Sequence, residues 1–150
     1  MADWVINRRV LDLPITDGEW DKDATEEPFR RWVSDKDPSE WGKEEWQKYS
    51  LRYLVYRENP SKFEDFKFPV VEIVGGEPHV NRRAVIAVQQ NLAGARTPAA
   101  LPSDVKADVA QVAAKLREKA DKALGVEKKE MLKKAIMARL INALLEALED

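Results

Sequence analysis

The chain has 150 residues, of which 44% are hydrophobic and 35% charged, and its formal net charge is −2. This apolar fraction can build a core and excludes a fully disordered chain, and the absence of cysteine excludes disulfides and thiolate metal sites. The slight negative charge argues against a protein that coats nucleic acid, and no apolar run reaches the roughly 18 residues of a membrane span.

Aromatic residues are concentrated in the first part of the chain. All five tryptophans precede Gln47, and no aromatic residue follows Phe68. Residues 4–15 have an extended pattern, and Pro14 limits such a segment to the edge of a sheet because proline has no N–H to donate. The later apolar faces are aliphatic, which predicts a change of architecture along the chain.

Two short helices are predicted next. Thr25 is the expected cap of the first, which places Pro28 in the first turn, where proline is tolerated. Asp37 is the expected cap of the second, with Pro38 at its first position and an end near Tyr49.

Strands are predicted after these helices. Residues 51–56 are rich in β-formers and favour a strand, with a helical continuation as the alternative. The apolar run 68–74 ends at Gly75-Gly76, which is typical of a hairpin turn, and the return strand is expected at about 77–80.

The rest of the chain has helical patterns. Asn81 is the expected cap of a helix over about 82–92. Two longer helices are predicted at about 103–124 and 127–148, separated by Gly125.

These elements predict a helix-rich α+β fold. A small antiparallel sheet or hairpin packs with short helices and is followed by the two longer C-terminal helices. In domain terms, residues 1–101 form a Trp-rich α+β body and residues 102–150 form a C-terminal helical region.

The last predicted helix has more apolar surface than one narrow face can hide, so we expect it to contact either the body of its own chain or another chain. Its first part is lysine-rich and its end is acidic, which opposes the helix dipole. An antiparallel copy in a homodimer would pair the two ends, and the alternative is that these charges are simply solvated. The predicted contact residues are Met131, Ile136, Leu140, Ile141, Leu144 and Leu145.

No motif for chemistry emerges from the remaining polar residues. His79 is the only histidine, and its spacing from Glu72 and Glu77 matches no established metal site. Asp65 and Lys67 have the local form of a nuclease element, but the sequence does not indicate the second acidic ligand that such a site needs to hold Mg²⁺. The sequence therefore predicts no catalytic residue, no metal ligand and no cofactor, with a metal-dependent enzyme as a distant alternative.

A nucleic-acid-binding surface is the nearer alternative. Arg82, Arg83 and Arg96 lie around a predicted helix start and the loop that follows the helix. The tryptophans, which could stack on bases, fall in the acidic part of the chain, and negative charge there repels phosphate.

Several short stretches carry a family resemblance. They are Leu13-Pro14-Ile15, Lys67-Phe68-Pro69-Val70, His79-Val80-Asn81-Arg82-Arg83-Ala84-Val85 and Leu101-Pro102. Together they resemble a small uncharacterised domain of phage and prophage proteins, over about residues 10–120. Such domains accompany head-morphogenesis genes. The resemblance implies a virion-assembly or capsid-associated role. With no motif for chemistry, we expect a non-enzymatic structural or interaction protein that acts on a capsid or head-assembly partner, in the host cytoplasm or the virion. The lack of an apolar run of membrane length predicts no membrane partner.

Overall fold

The structure is a computed structural model that describes residues 3–94 and 101–149, with the backbone alone at 126–130 and 149. These residues include six strands: β1 (Trp4–Ile6), β2 (Ile15–Thr16), β3 (Tyr53–Arg57), β4 (Phe66–Pro69), β5 (Val71–Val74) and β6 (Glu77–Asn81). The α-helices are α1 (Lys22–Val33), α2 (Lys43–Tyr49), α3 (Arg82–Ala93) and α4 (Ser103–Glu149). The predicted helix-rich α+β class is confirmed.

The strands form two small sheets in the described part of the chain. One has the order β1-β3-β4 and is antiparallel, and the other has the order β2-β6-β5. β2 pairs in parallel with β6, whereas β5 and β6 are antiparallel. β1 and β2 both lie at a sheet edge, as expected for residues 4–15, with a 3₁₀ turn at Arg9–Asp12 between them.

The Gly75-Gly76 hairpin is confirmed. The strand predicted at residues 51–56 is present as β3, but it begins at Tyr53 because Ser50–Arg52 form a 3₁₀ turn. The apolar run 68–74 does not form one strand. It divides at Val70 between β4 and β5, which belong to different sheets. Val70 donates its N–H to the Arg52 carbonyl (2.9 Å) and accepts from the Asn81 N–H (2.8 Å). Hydrophobicity alone does not reveal such a change of partner, because the apolar run continues through both strands.

Helix α1 begins earlier than predicted. Asp21, not Thr25, is the cap, since its Oδ1 accepts from the N–H groups of Asp23 and Ala24 at 3.0 Å each. The Thr25 hydroxyl instead donates to the Asp21 carbonyl at 2.7 Å. Pro28 therefore lies inside the helix rather than in its first turn, and α1 lacks one backbone hydrogen bond there.

The second helix is also displaced at its start. Asp37 caps only a 3₁₀ turn, Pro38–Glu40, through the Ser39 N–H (3.0 Å). The extended backbone of Gly42 separates this turn from α2, and the Glu45 carboxylate accepts from the Gly42 N–H at 3.2 Å. The predicted end at Tyr49 is confirmed.

At Gly125 the structure differs from the prediction, because α4 continues through this residue as one helix from Ser103 to Glu149. A single glycine inside a helix costs only about 1 kcal/mol relative to alanine. Good helix formers on both sides outweigh that cost, so glycine is a weak stop signal without a change of backbone direction.

The core combines both sheets with all four of the α-helices named above. Phe29, Tyr49, Leu54, Val85 and Leu116 are all fully buried in it. From α4 the buried residues include Val109, Val112, Ala113 and Ala120. The first part of α4 therefore completes the same core as the tryptophan-rich part of the chain.

Arg52 is the largest fully buried side chain. Its guanidinium donates to the carbonyl oxygens of Lys22 (2.7 Å) and Val71 (3.0 Å) and to the Thr25 hydroxyl (3.1 Å). A buried charge is costly unless it is well hydrogen-bonded, and these bonds tie the first turn of α1 to β5.

Candidate functional site

Residues 131–148 of α4, called the C-terminal segment below, are all exposed. Only the backbone hydrogen bonds of the helix itself, between residues i and i+4, hold this part of α4 in shape. No strand or helix among the described residues covers it. The large apolar side chains in the segment are between 49% and 82% exposed. Contiguous apolar surface of this kind typically marks an interaction site.

All six predicted contact residues lie in this segment. The same surface also includes exposed side chains outside the predicted set, namely Leu132, Met137 and Leu148. Sequence reasoning omitted Met137, although its spacing of three and seven residues from Leu140 and Leu144 is a helical signal.

The apolar side chains surround most of the helix. At about 100° per residue, those from Leu132 to Leu148 cover an arc of about 220°. The remaining strip carries Arg139, Asn142 and Glu146. A helix on a protein surface usually needs an apolar stripe of only about 100°, so one flat contact would leave much of this surface in water.

Charge is unevenly distributed along the segment. Lys133 and Lys134 lie near its beginning, and Glu146 and Glu149 lie near the end of α4. The predicted conflict between the lysines and the dipole of a helix start does not apply, because α4 begins at Ser103 and the dipole acts within the first and last turns. The segment nevertheless has a basic beginning and an acidic end.

The segment is held out from the body by an anchored first half of α4. The Lys119 ammonium donates to the carbonyl oxygens of Leu11 (2.6 Å) and Leu13 (2.7 Å). Arg117 donates to the Gln89 side chain of α3 at 3.1 Å. With Leu116 fully buried, these contacts fix where α4 leaves the body.

The arginines of the predicted anionic-partner surface are not alike. Arg82 donates from Nε to Asp121 (2.8 Å) and has Asp17 at 3.8 Å. The hydrogen bond from Arg82, with further help from Arg117, holds the pKa of the Asp121 carboxyl below its usual range. Arg83 is exposed. Arg96 lies outside the described residues.

The residues weighed as metal ligands have structural contacts. Glu72 and His79 are cross-strand neighbours, but Glu72 accepts a hydrogen bond from the Asn81 amide, whose Oδ1 caps α3. His79 Nδ1 lies 3.0 Å from the Glu77 carbonyl oxygen. Within residues 3–94 and 101–149, no group of three or more histidine or acidic side chains could hold a metal ion.

Asp65, the acidic residue of the nuclease-like tripeptide, also has a local role. It is buried, and its Oδ2 accepts from the backbone N–H groups of Ser61 (2.9 Å) and Lys62 (3.3 Å). This contact closes the turn before β4, so an aspartate at this position is explained without a catalytic role.

Among the described residues, the clefts on the body include two that the sequence does not predict. The larger, about 800 Å³, runs between the Pro38 turn and residues 59–64, over Trp41, Trp46 and Phe63. Both tryptophans are only 7% exposed, and Trp41 Nε1 donates to the Lys36 carbonyl at 3.1 Å. The tryptophan rings therefore pack mainly in the core and offer little surface to the cleft.

The smaller cleft, about 480 Å³, includes Tyr49 and Tyr53 among its lining residues. Their hydroxyls are 2.8 Å apart. Burial, followed by the neighbouring Tyr53, raises the pKa of Tyr49 far above its usual range, so this hydroxyl stays neutral. A neutral hydroxyl pair can position a polar group but is a poor base.

Comparisons with protein-family models, curated proteins and solved structures found no match to this chain. Among the described residues, no helix combines the length and apolar character needed to cross a lipid bilayer.

Proposed function

We propose that this chain is a non-enzymatic interaction protein of phage or prophage origin, acting in head assembly or on the capsid. The observation that carries the interaction role is the C-terminal segment, where nine large apolar side chains are 49–82% exposed. The assignment to head assembly comes from the sequence resemblance. We place its action in the host cytoplasm or in the virion.

The division of labour in the chain supports an interaction role. The body is closed by a continuous aromatic and aliphatic core, and α4 carries the apolar surface away from it. Burying one such side chain contributes about 1.5–3 kcal/mol relative to full exposure. Several of them would supply the gain that a stable assembly needs after the entropy of association is offset.

The polar clusters support the non-enzymatic part of the proposal. Glu72 orients the cap of α3, and Asp65 closes a backbone turn. Each of these residues has a structural function that accounts for its position.

The test uses the full chain and the capsid, portal and scaffold proteins encoded beside its gene. Leu140→Glu with Leu144→Glu should abolish co-sedimentation with head assemblies, because charge replaces the apolar contact. Asn142→Glu, on the polar strip, is the matched control and should retain it. Equal binding by all three chains, or binding by none, contradicts the proposal.

Nucleic-acid binding through Arg82, Arg83 and Arg96 is the alternative function. It has less support, because the ion pairs of Arg82 with Asp17 and Asp121 compete with phosphate. A mobility shift at low salt that disappears as salt rises would favour it, and an absent shift would remove it.

A further inference from the structure

The smaller cleft has the size and the walls of a small-molecule site. Its volume, about 480 Å³, lies within the roughly 300–1,000 Å³ of typical ligand pockets. Aromatic side chains line much of it, namely Trp20, Tyr49, Tyr53, Phe63, Phe66 and Phe68. Trp20 is half-buried and Phe63 is 37% exposed, so both retain apolar surface on which a flat ring can pack.

The charge around the cleft is positive. Lys22 and Lys67 belong to its lining, and within residues 3–94 and 101–149 neither lysine forms an ion pair. Glu26 is the acidic residue of the described lining. Its carboxylate already accepts from Arg30 at 2.9 Å and from the Tyr49 hydroxyl at 3.3 Å. The cleft therefore offers two ammonium groups to an anion, although the whole chain has a net charge of −2.

The buried guanidinium of Arg52 adds to this positive charge. Its central carbon lies 5.4 Å from the centre of the Trp20 ring and 5.8 Å from the centre of the Tyr53 ring, and both rings line the cleft. Its hydrogen bonds go to carbonyl and hydroxyl oxygens and not to a carboxylate. Among the described residues its Nε has no hydrogen-bond partner. Because a buried charge is little screened by salt, Arg52 favours an anion in the cleft beside it.

Phe68 gives the cleft a strained wall. Its φ of 64° is a left-handed conformation that a bulky residue rarely adopts, and the following Pro69 disfavours it further. Strain of this kind persists only where the surrounding structure enforces it, and it is found most often at functional sites. Phe68 and Pro69 lie where the chain passes from β4 to β5, so both sheets hold this wall in place before a ligand binds.

We propose that the smaller cleft binds a small aromatic anion, either a carboxylate or a phosphate ester. Its ring packs on the aromatic walls, and its charged group lies with the ammonium groups of Lys22 and Lys67. An uncharged ring would leave both lysines without a partner, and an inorganic anion would leave the aromatic walls in water. The inference is independent of the proposed interaction role, because the cleft lies on the body and not on the C-terminal segment.

The class of ligand is tested with three probes that share a phenyl ring and differ in charge: phenylacetate, phenethyl alcohol and phenethylammonium. NMR titration of the full chain follows the indole N–H of Trp20, assigned with Trp20→Phe. We expect phenylacetate to bind about fivefold more tightly than the alcohol, as one exposed ion pair allows, and phenethylammonium to bind most weakly. Benzyl phosphate is compared with phenylacetate to distinguish a phosphate ester from a carboxylate.

The role of the lysines is tested with Lys22→Glu and Lys67→Glu combined. This variant should weaken phenylacetate binding by about tenfold and leave binding of the alcohol within about twofold. Lys115→Glu with Lys122→Glu makes the same change of net charge at exposed positions of α4 outside the cleft lining, and it should leave both affinities within about twofold. Circular dichroism verifies folding. If the charge reversal prevents folding, Lys22→Gln with Lys67→Gln replaces it and should weaken phenylacetate binding by about fivefold.

Three results would overturn the proposal. The first is equal affinity for phenylacetate and the alcohol, or no shift of the Trp20 signal with either. The second is unchanged phenylacetate binding in folded variants of Lys22 and Lys67. The third is loss of phenylacetate binding in Leu140→Glu with Leu144→Glu, which would place the probe on the C-terminal segment. None of these results changes the expected binding of head-assembly proteins.

Discussion

The two halves of α4 carry similar aliphatic residues in opposite surroundings. In the first half, Val109, Ala113 and Leu116 are fully buried against the sheets and α3. In the C-terminal segment, Leu140 and Leu144 are 55% and 66% exposed. The helix is continuous, so helix formation does not distinguish the halves. The difference lies in whether the folded chain offers a surface to each face.

This contrast shows that one helix can contribute both to the folding of a single chain and to its association with a partner. Burial of the first half contributes to the folding of a single chain, whereas burial of the segment would contribute only on association. Substitutions in the first half should therefore change a stability that does not depend on concentration. Substitutions in the segment should change a concentration-dependent property.

The largest expected effect separates these two contributions. Leu116→Ala should lower the free energy of unfolding by about 2–5 kcal/mol, because it leaves a cavity in the core. Leu140→Ala is the matched substitution in the segment and should change the unfolding of the body by less than about 0.5 kcal/mol. Urea denaturation followed by tryptophan fluorescence measures both. Equal losses would mean that the segment packs on its own body.

A second test compares charged residues in the two regions. Arg52→Ala should destabilise the body by about 2–3 kcal/mol, because the carbonyl oxygens of Lys22 and Val71 lose a buried donor. Arg139→Ala, in the exposed segment, should cost less than about 0.5 kcal/mol. Thermal unfolding of the two variants compares them, and a mild effect at Arg52 would mean that water replaces its guanidinium.

The junction of the two halves is tested at Gly125. An added Cβ would meet no atom within 4 Å, so Gly125→Ala should stabilise the helix by about 0.5–1 kcal/mol. Helicity by circular dichroism should rise slightly. Gly125→Pro should instead lower helicity, because it breaks a continuous helix. If proline has no effect, the helix ends near Gly125.

The smallest expected effect concerns the ion pair that joins α3 to α4. The pKa of Asp121 is lowered first by the hydrogen bond from Arg82, so its contribution is present above its unfolded pKa of about 3.9. That contribution is lost as pH falls through the lower folded value. Asp121→Asn should make stability less steep with pH below about 4.

Titration of the Asp121 carboxyl by NMR provides the direct measurement. An Asp121 pKa at or above the ordinary aspartate value would contradict the prediction and would mean that the pair with Arg82 is not formed in solution.

Local signals predicted several elements well. The Gly75-Gly76 hairpin and the Asn81 cap of α3 each depend on the backbone conformation and hydrogen bonds of only three or four consecutive residues. The start of α1 was predicted at Thr25 instead of Asp21 because both residues are good caps, and the choice depends on contacts elsewhere. One such contact is the hydrogen bond from Arg52 to the Lys22 carbonyl.

The candidate surface was predicted in part. Spacing identified Leu140 and Leu144 as members of an apolar face, because side-chain positions around a helix follow from residue number. Spacing could not show that the first half of α4 is buried and the second exposed, since both have apolar faces. The sequence similarly suggests an open surface at Arg82, although Asp121, 39 residues away, pairs with it.

The sequence by itself determined the class of the fold, the hairpin, the cap of α3 and the apolar character of the final helix. Each depends on interactions between residues that are close in the chain. Only the tertiary structure decided the division of residues 68–74 between two sheets, the burial of Arg52 and the contrast between the halves of α4. These depend on which distant segments meet, and the cost of burying or exposing a group is set by those contacts.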